Sequence, residues 1–297
     1  MKRASIDLGT NTCLLLVAEC PAVCVVEDEC TVVRLGQGVD RDRNLHPDAM
    51  ERTIACLVSY AQIVKSHGIA PAETVCVATS QARDAKNGAV FFRRVKQETG
   101  FDFRVLSGDE EARCSFTGGL VPGVDPSRAA IIDIGGGSTE LMSCAGGVSV
   151  DVGSVRFTER YLNVPCDRCV SDEQFWECQA AVDAGLAPLV EWRKNLETGL
   201  QLVAVAGTAT TLAAWHLRLP RYDAARIDEA VLTRGDVHRM TEELKMLPAE
   251  KRLELPGMQR GREDVLLAGA LILWRAMELL DFSTCLVSSR GLRFGVL

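Results

Sequence analysis

Ile132-Asp133-Ile134-Gly135-Gly136-Gly137-Ser138-Thr139-Glu140 is the stretch on which the fold turns, and the chain says nearly the same thing at Ile6-Asp7-Leu8-Gly9-Thr10-Asn11-Thr12. Each is an apolar run ending in an Asp, then Gly, then small hydroxyl or amide residues, then apolar residues again. The pattern predicts strand, tight turn, strand, with a carboxylate at the bend. Three consecutive glycines lower the steric cost of unusual backbone angles and let N–H groups converge on an anion. Ser138 and Thr139 add hydroxyls, Asp133 stands where a hydrated divalent cation could be held, and Ser138 and Glu140 fall on one side of a strand. A plain glycine-rich hairpin is the competing reading. The Gly9-Thr10-Asn11 copy alone is ordinary turn chemistry; its likeness to the second copy gives it weight.

Working outward, each copy opens a similar series. Strands are expected over 4–8, 13–20 and 22–35, then a helix over 47–67 with Pro47 in its first turn and Gly68 beyond its end. A strand at 73–78, a helix at 88–99 stopped by Gly100, a strand at 103–106 and a helix opening at Ser107 follow. The second half repeats this with strands at 129–134, 139–145 and 148–152. Helices come at 154–162 and 171–192, then a strand at 202–206 and a helix from Thr208. Helices at 236–246 and 262–280 and a strand at 284–287 complete it. Three strands followed by alternating helices and strands, twice, predict an α/β pair of domains. The joint is expected at Val121-Pro122-Gly123-Val124-Asp125-Pro126, giving domains 1–123 and 124–289, with 290–297 packed back on the first.

Size and composition agree. At 297 residues the chain can bury two cores, and 47% hydrophobic with 25% charged residues is an ordinary globular balance. The run from Leu266 to Trp274 is too short to span a bilayer, and Asp7 interrupts the place where a signal peptide needs its apolar stretch. No membrane association and a cytoplasmic location are expected. The net charge of −7 argues against a general nucleic-acid binder. Arg outnumbers Lys 26 to 7, which suits phosphate oxygens or reflects composition bias. The twelve cysteines are scattered, many within apolar runs where Cys is a small hydrophobe. The one Cys-x-x-Cys, Cys166–Cys169, lacks the second pair that a four-ligand zinc site needs, and a plain loop is the simpler reading.

Three further segments could carry chemistry. Val203-Ala204-Val205-Ala206-Gly207-Thr208-Ala209-Thr210-Thr211 runs a strand into a helix N-terminus that presents N–H groups to an anion; Thr208 alternatively serves only as an N-cap. In Ser107-Gly108-Asp109-Glu110-Glu111, Ser107 and Glu110 have capping-box spacing. Glu111 has no such task, and its spacing fits either a water-activating base or a solvated acid favouring the helix N-terminus. Arg83 fits a phosphate clamp or an ion pair with Asp84 or Asp109. No Walker A loop, Gly-x-Ser-x-Gly or His-Glu-x-x-His occurs.

Taken in order, these motifs resemble the exopolyphosphatase and guanosine pentaphosphate phosphatase family, of the actin, sugar-kinase and heat-shock-chaperone fold group. The likeness is carried by Ile6–Thr12, Ala78-Thr79-Ser80 through Arg83-Asp84-Ala85 to Asn87-Gly88, Ser107–Ala112, Asp133–Glu140, Gly207–Thr211, Arg262-Glu263-Asp264 and Ser289-Arg290-Gly291-Leu292-Arg293. It implies two ribonuclease H-like, actin-type domains around a central cleft, in the short two-domain form, without the extra helical domains of longer members. It implies hydrolysis of a terminal phosphoanhydride, with inorganic polyphosphate or guanosine pentaphosphate as substrate, and Mg²⁺ or another divalent cation as cofactor. By the same likeness Glu111 matches the water-activating residue, and Asp7, Asp133 and Glu140 match acidic positions near the metal. Gly9, Thr10, Asn11, Gly135, Gly136, Gly137, Ser138 and Thr208 match phosphate contacts, and Arg83 an arginine facing the phosphate chain. The family's usual Gly-Leu-Arg-Glu-Gly ending has Phe294 in place of its Glu. A kinase of the same fold group and a non-catalytic polyphosphate or alarmone sensor are the alternatives, and a homodimer is compatible with the reading. Arg156, Arg160 and Arg168 fit a basic track for a long phosphate chain, or a solvated helix face.

Overall fold

The computed structural model describes all 297 residues, which divide into unit 1 (Met1–Gly118 with Leu292–Leu297) and unit 2 (Gly119–Gly291). Unit 1 is built on β1 (Lys2–Leu8), β2 (Thr12–Glu19), β3 (Cys24–Val32), β4 (Val75–Ala78) and β5 (Phe103–Val105), in the order β3-β2-β1-β4-β5. The first three strands pair antiparallel, and β4 and β5 add in parallel. Unit 2 holds β6 (Ala129–Ile134), β7 (Thr139–Ser143), β8 (Gly146–Val150), β9 (Gln201–Val205), β10 (Val231–Thr233) and β11 (Thr284–Val287). Its order is β10-β11-β9-β6-β7-β8. Without the edge strand β10, this is the same order as in unit 1, again with an antiparallel trio and two parallel additions. Each unit is therefore an α/β sheet, as the paired motifs predict, with the ribonuclease H-like, actin-type strand order that the family resemblance implies.

Burial explains which strands sit where. In β6, Ala129 to Ile132 are all buried, the continuous apolar run of a strand covered on both faces. The edge strand β3 instead exposes Asp28, Glu29 and Cys30, and charge on an edge discourages further strand pairing. In unit 1, Pro47–Ser66 is a helix with Pro at its start and His46 as N-cap, its Nδ1 accepting from the Asp48 N–H. It buries Ile54, Leu57, Tyr60, Ala61 and Val64 against the sheet core. In unit 2, Leu266–Leu279 is apolar nearly all round and correspondingly buried.

Four expectations need correction. The segment expected as one helix over 171–192 is two, Asp172–Gly185 and Ala187–Arg193, meeting at Leu186. Pro188 lacks the N–H that a continuous helix would use. A Cβ on Gly185 would stand 2.4 Å from the Val152 side chain, so the break also allows a close approach. The helix expected from Thr208 starts at Ala206 with Val205 as N-cap, so Thr208 lies inside the first turn and is not the cap. The last long helix begins at Leu266 rather than Arg262. β10 escaped notice because it has three residues with only Leu232 buried.

The chain's last residues pack on unit 1. Arg293 makes a two-pronged ion pair with Asp28, at 2.8 and 2.7 Å, and its carbonyl accepts from Ser5 Oγ. The Phe294 ring lies against the Arg293 guanidinium, 4.9 Å from centroid to Cζ. Gly295 sits so close to the 108–119 helix that a Cβ would be 1.9 Å from the Cys114 carbonyl oxygen. No helix is long and apolar enough to cross a membrane.

Candidate active site

In unit 2, β6 and β7 are joined by an open turn in which the Gly135 N–H donates to the Ser138 carbonyl at 3.0 Å. The carbonyls within the turn are taken up by the helix Ser154–Tyr161. Gly135 O accepts from Ser154 N at 2.9 Å, and Gly136 O accepts from Val155 N and Arg156 N at 2.9 and 3.0 Å. Gly137 O accepts from Arg156 Nε at 2.8 Å. The first turn of a helix has N–H groups with no intrahelical partner, and here the glycine turn supplies their acceptors.

A direction follows from this. In a trans peptide the C=O and the next residue's N–H point opposite ways, and these peptides are trans. With three successive carbonyls drawn toward the helix, the N–H groups of Gly136, Gly137 and Ser138 aim to the other side. Successive amides turned one way in this manner are able to cradle an anion. It depends on Gly153, where a Cβ would lie 2.4 Å from Gly136 O and from the Gly137 carbonyl carbon. Asp133 and Glu140, at the base of the turn, are register partners across β6 and β7, so their side chains leave the same face. Glu140 is buried, and its Oε1 accepts from Ser149 Oγ at 2.6 Å.

The corresponding turn in unit 1 has the same closing bond, Gly9 N to Thr12 O at 2.8 Å. Its carbonyls are held by a loop. Gly36 N donates to Thr10 O, and Val33 N and Arg34 N donate to Asn11 O. By the same reasoning the N–H groups of Asn11 and Thr12 aim away from that loop. The Thr10 hydroxyl lies 3.1 Å from both Ser80 Oγ and Gln81 Oε1, and Gln81 Nε2 donates to Leu8 O at 2.8 Å. Asp7 stands opposite Leu14 in the register, so this turn has one carboxylate where the other has two.

Glu111 and Arg83 come together in unit 1. Ser107 and Glu110 form the reciprocal capping box expected, with Ser107 N to Glu110 Oε2 at 2.9 Å and Glu110 N to Ser107 Oγ at 3.2 Å. Glu111 turns elsewhere. It is 8% exposed, and its Oε2 accepts from Arg83 Nη1 at 2.8 Å. The same Nη1 also donates to the Leu106 carbonyl at 2.8 Å. Arg83 thus pairs with neither Asp84 nor Asp109, and Glu111 is no solvated surface acid.

Thr208 is nearly buried as the third residue of the helix Ala206–His216. Its place is cut by two glycines. A Cβ on Gly269 would come within 2.3 Å of Thr208 Oγ1, and one on Gly207 would overlap the Arg262 guanidinium. Arg262, of the Arg-Glu-Asp motif, is therefore packed on the helix start. Ala206 adopts φ 67°, a left-handed angle costly for a residue with a Cβ.

The model of the Ppx/GppA phosphatase family matches residues 17–297. The chain belongs to that family. It is 34% identical over 286 residues to exopolyphosphatase 2 of Mycobacterium tuberculosis, covering 91% of this chain and 88% of that protein. It is 31% identical to the bifunctional 3-dehydroquinate synthase/phosphatase of Fusobacterium nucleatum, over 94% of this chain but 43% of that protein, so it spans under half of that relative. Among solved structures, an exopolyphosphatase-like protein superposes with a TM-score of 0.90 at 28% identity, covering 100% of this chain and 97% of that one.

Family resemblance had left several supporting residues unnoticed. Gly36, Gln81, Gly153 and Gly269 hold the candidate phosphate residues in place, yet each acts through contacts distant in sequence. Sequence alone groups Arg156 with Arg160 and Arg168 as a basic track or a solvated helix face. It is 6% exposed and bonded to the glycine turn, whereas the other two are exposed.

The donor set suits a cation such as Mg²⁺ that is shared with substrate. No group of three or more His, Cys, Asp or Glu is arranged to hold a metal by protein alone. Mg²⁺ commonly keeps several waters and binds through one or two carboxylates plus phosphate oxygens. The Asp133 and Glu140 pair fits that mode, and Asp7 offers a single carboxylate in unit 1.

Proposed function

We propose that this protein hydrolyses the terminal phosphoanhydride of a polyanionic phosphate chain, with inorganic polyphosphate as the first substrate and guanosine pentaphosphate as the second. The observation that carries the reading is the amide array of Gly136, Gly137 and Ser138, fixed from behind by the 154–161 helix and flanked by Asp133 and Glu140. Phosphoryl transfer of this kind is mostly positioning and charge neutralisation. The amide array, the Ser138 hydroxyl and the Gly9-Thr10-Asn11 turn bind phosphate oxygens, as does Thr208 at its helix start. A divalent cation held by Asp133 and Glu140, with Asp7 as a further acidic position, would offset the phosphate charge. Glu111 orients the attacking water and takes its proton. Arg83 holds the Glu111 carboxylate in place and would share its charge with a phosphate oxygen.

The 34% identity to a protein named exopolyphosphatase supports polyphosphate ahead of the nucleotide. The test is release of inorganic phosphate from long-chain polyphosphate with Mg²⁺ and no acceptor, beside guanosine pentaphosphate under the same conditions. Polyphosphate is expected to give the higher kcat/KM, and a higher value for the nucleotide reverses the order. The Glu111→Gln variant should lose roughly 10²–10⁴-fold in turnover, the range of a general base, while still binding the phosphate chain. Wild-type turnover in that variant would remove Glu111 from the chemistry. A requirement for an acceptor would make the protein a kinase.

A further inference from the structure

The Cys-x-x-Cys loop has no part in this chemistry, and packing does not explain it. Cys13, Cys56, Cys76, Cys178 and Cys285 are buried and serve as small hydrophobes; burial pushes the Cys178 thiol up to about 12. Cys166 and Cys169 differ. Both are exposed and both are free thiols, three positions apart across a turn closed by Arg168 N to Pro165 O at 2.9 Å.

The loop is also fastened at both cysteines to one neighbouring segment. Glu250 N donates to the Cys166 carbonyl at 3.0 Å. The Cys169 thiol donates to the Met246 carbonyl at 3.3 Å. Met246 ends the helix Arg234–Lys245 and leaves 72% of its surface in solvent. Val170, next in the chain, is buried, and Ser171 then caps the helix Asp172–Gly185 with a full capping box. Two thiols thus stand on a surface loop fastened to the helix end that carries the exposed Met246 thioether.

The donor count decides which cation this suits. A structural zinc site takes four protein ligands in a tetrahedron, and no group of three or more His, Cys, Asp or Glu exists here. Thiolate and thioether donors select soft ions, copper(I) foremost, and such an ion is content with two or three ligands. We propose that Cys166, Cys169 and Met246 form a surface site for copper(I). Binding replaces the two thiol protons with the metal, so two protons are released and no electron is transferred. The Cys169 thiol gives up its bond to the Met246 carbonyl, and the Met246 side chain turns its sulfur to the ion.

The test uses the reduced full-length chain under anaerobic conditions, titrated with copper(I) against a coloured copper(I) chelator. Wild type should withdraw one equivalent from the chelator with a new ultraviolet thiolate-to-copper band. The Cys166→Ser/Cys169→Ser double variant should lose both, and a Cys24→Ser/Cys30→Ser/Cys144→Ser variant should keep both. Met246→Leu should compete measurably less well than wild type. All three variants should melt and release phosphate as wild type does, because none touches the phosphate residues. Equal withdrawal by the double variant and wild type, or none by wild type, overturns the site. An unchanged Met246→Leu affinity overturns the three-donor assignment.

Discussion

The turns at Gly9–Thr12 and Gly135–Ser138 close with the same bond, 2.8 and 3.0 Å long, yet they are braced by different means. A loop reaches the first turn with amides from Val33, Arg34 and Gly36. A helix N-terminus reaches the second, with amides from Ser154, Val155 and Arg156 and the Arg156 side chain besides. The loop fixes two peptides and the helix fixes three. The second turn also has a carboxylate on each flanking strand, where the first has Asp7 opposite Leu14. Related motifs have thus been put to unequal use: the better-braced turn has the longer amide array and the pair of acids, and it is where error in position should cost most.

The largest effect should come from Gly153→Ala. Its Cβ would meet backbone, Gly136 O and the Gly137 carbonyl carbon at 2.4 Å, so the turn or the helix must move. Displacement by about 1 Å can cost about 10²-fold in rate. We expect a loss of that order in kcat/KM with the far-ultraviolet circular dichroism retained. A fully active Gly153→Ala protein would show that the helix does not set the turn's position.

Arg156→Met comes next. It removes the charge-assisted Nε bond to Gly137 O, together with a 3.6 Å ion pair to the exposed Asp151, and leaves the other two turn carbonyls bonded to backbone amides. Such bonds are worth about 1.5–3 kcal/mol, so a roughly 10- to 100-fold loss in kcat/KM is expected. Lysine keeps the charge but not the planar Nε–H, and Arg156→Lys should recover only part of the loss. Full recovery by Lys would mean that charge matters here and the directed bond does not.

Much of this pair of turns was legible in the sequence, and the reason is local. Strand, Asp, Gly and small polar residues are adjacent in the chain, so each turn announces itself. The Ser107–Glu110 capping box and the helix Gly88–Thr99 were readable for the same reason. The braces were not. Gly153 meets Gly136 from 17 positions away, Gly36 meets Thr10 from 26, and Gly269 meets Thr208 from 61. A lone glycine in a loop or helix gives no sign of the backbone it lets in. Arg156 is misleading for a related reason: an arginine reads as surface charge, and only folding shows that this one bonds inward to Gly137 O. Glu111 occupied a middle position. Spacing freed it from capping, the family pattern marked it, and the 2.8 Å bond to Arg83 supplied what neither could.

The smallest of these effects is expected at Gly36, and it tests the comparison from the weaker side. A Cβ there would lie 2.2 Å from Thr10 Cγ2, which is the end of a side chain rather than backbone. Thr10 can rotate away, giving up its hydroxyl contacts to Ser80 and Gln81 while the Asn11 carbonyl keeps its two amides. Losing about one neutral hydrogen bond costs about 1 kcal/mol, or roughly fivefold in kcat/KM. Gly36→Ala should therefore be milder than Gly153→Ala by at least about tenfold, measured side by side on the same phosphate chain. Equal losses would mean that the loop-braced turn is as exacting as the helix-braced one. The extra carboxylate and the third amide would then reflect ancestry rather than a division of labour.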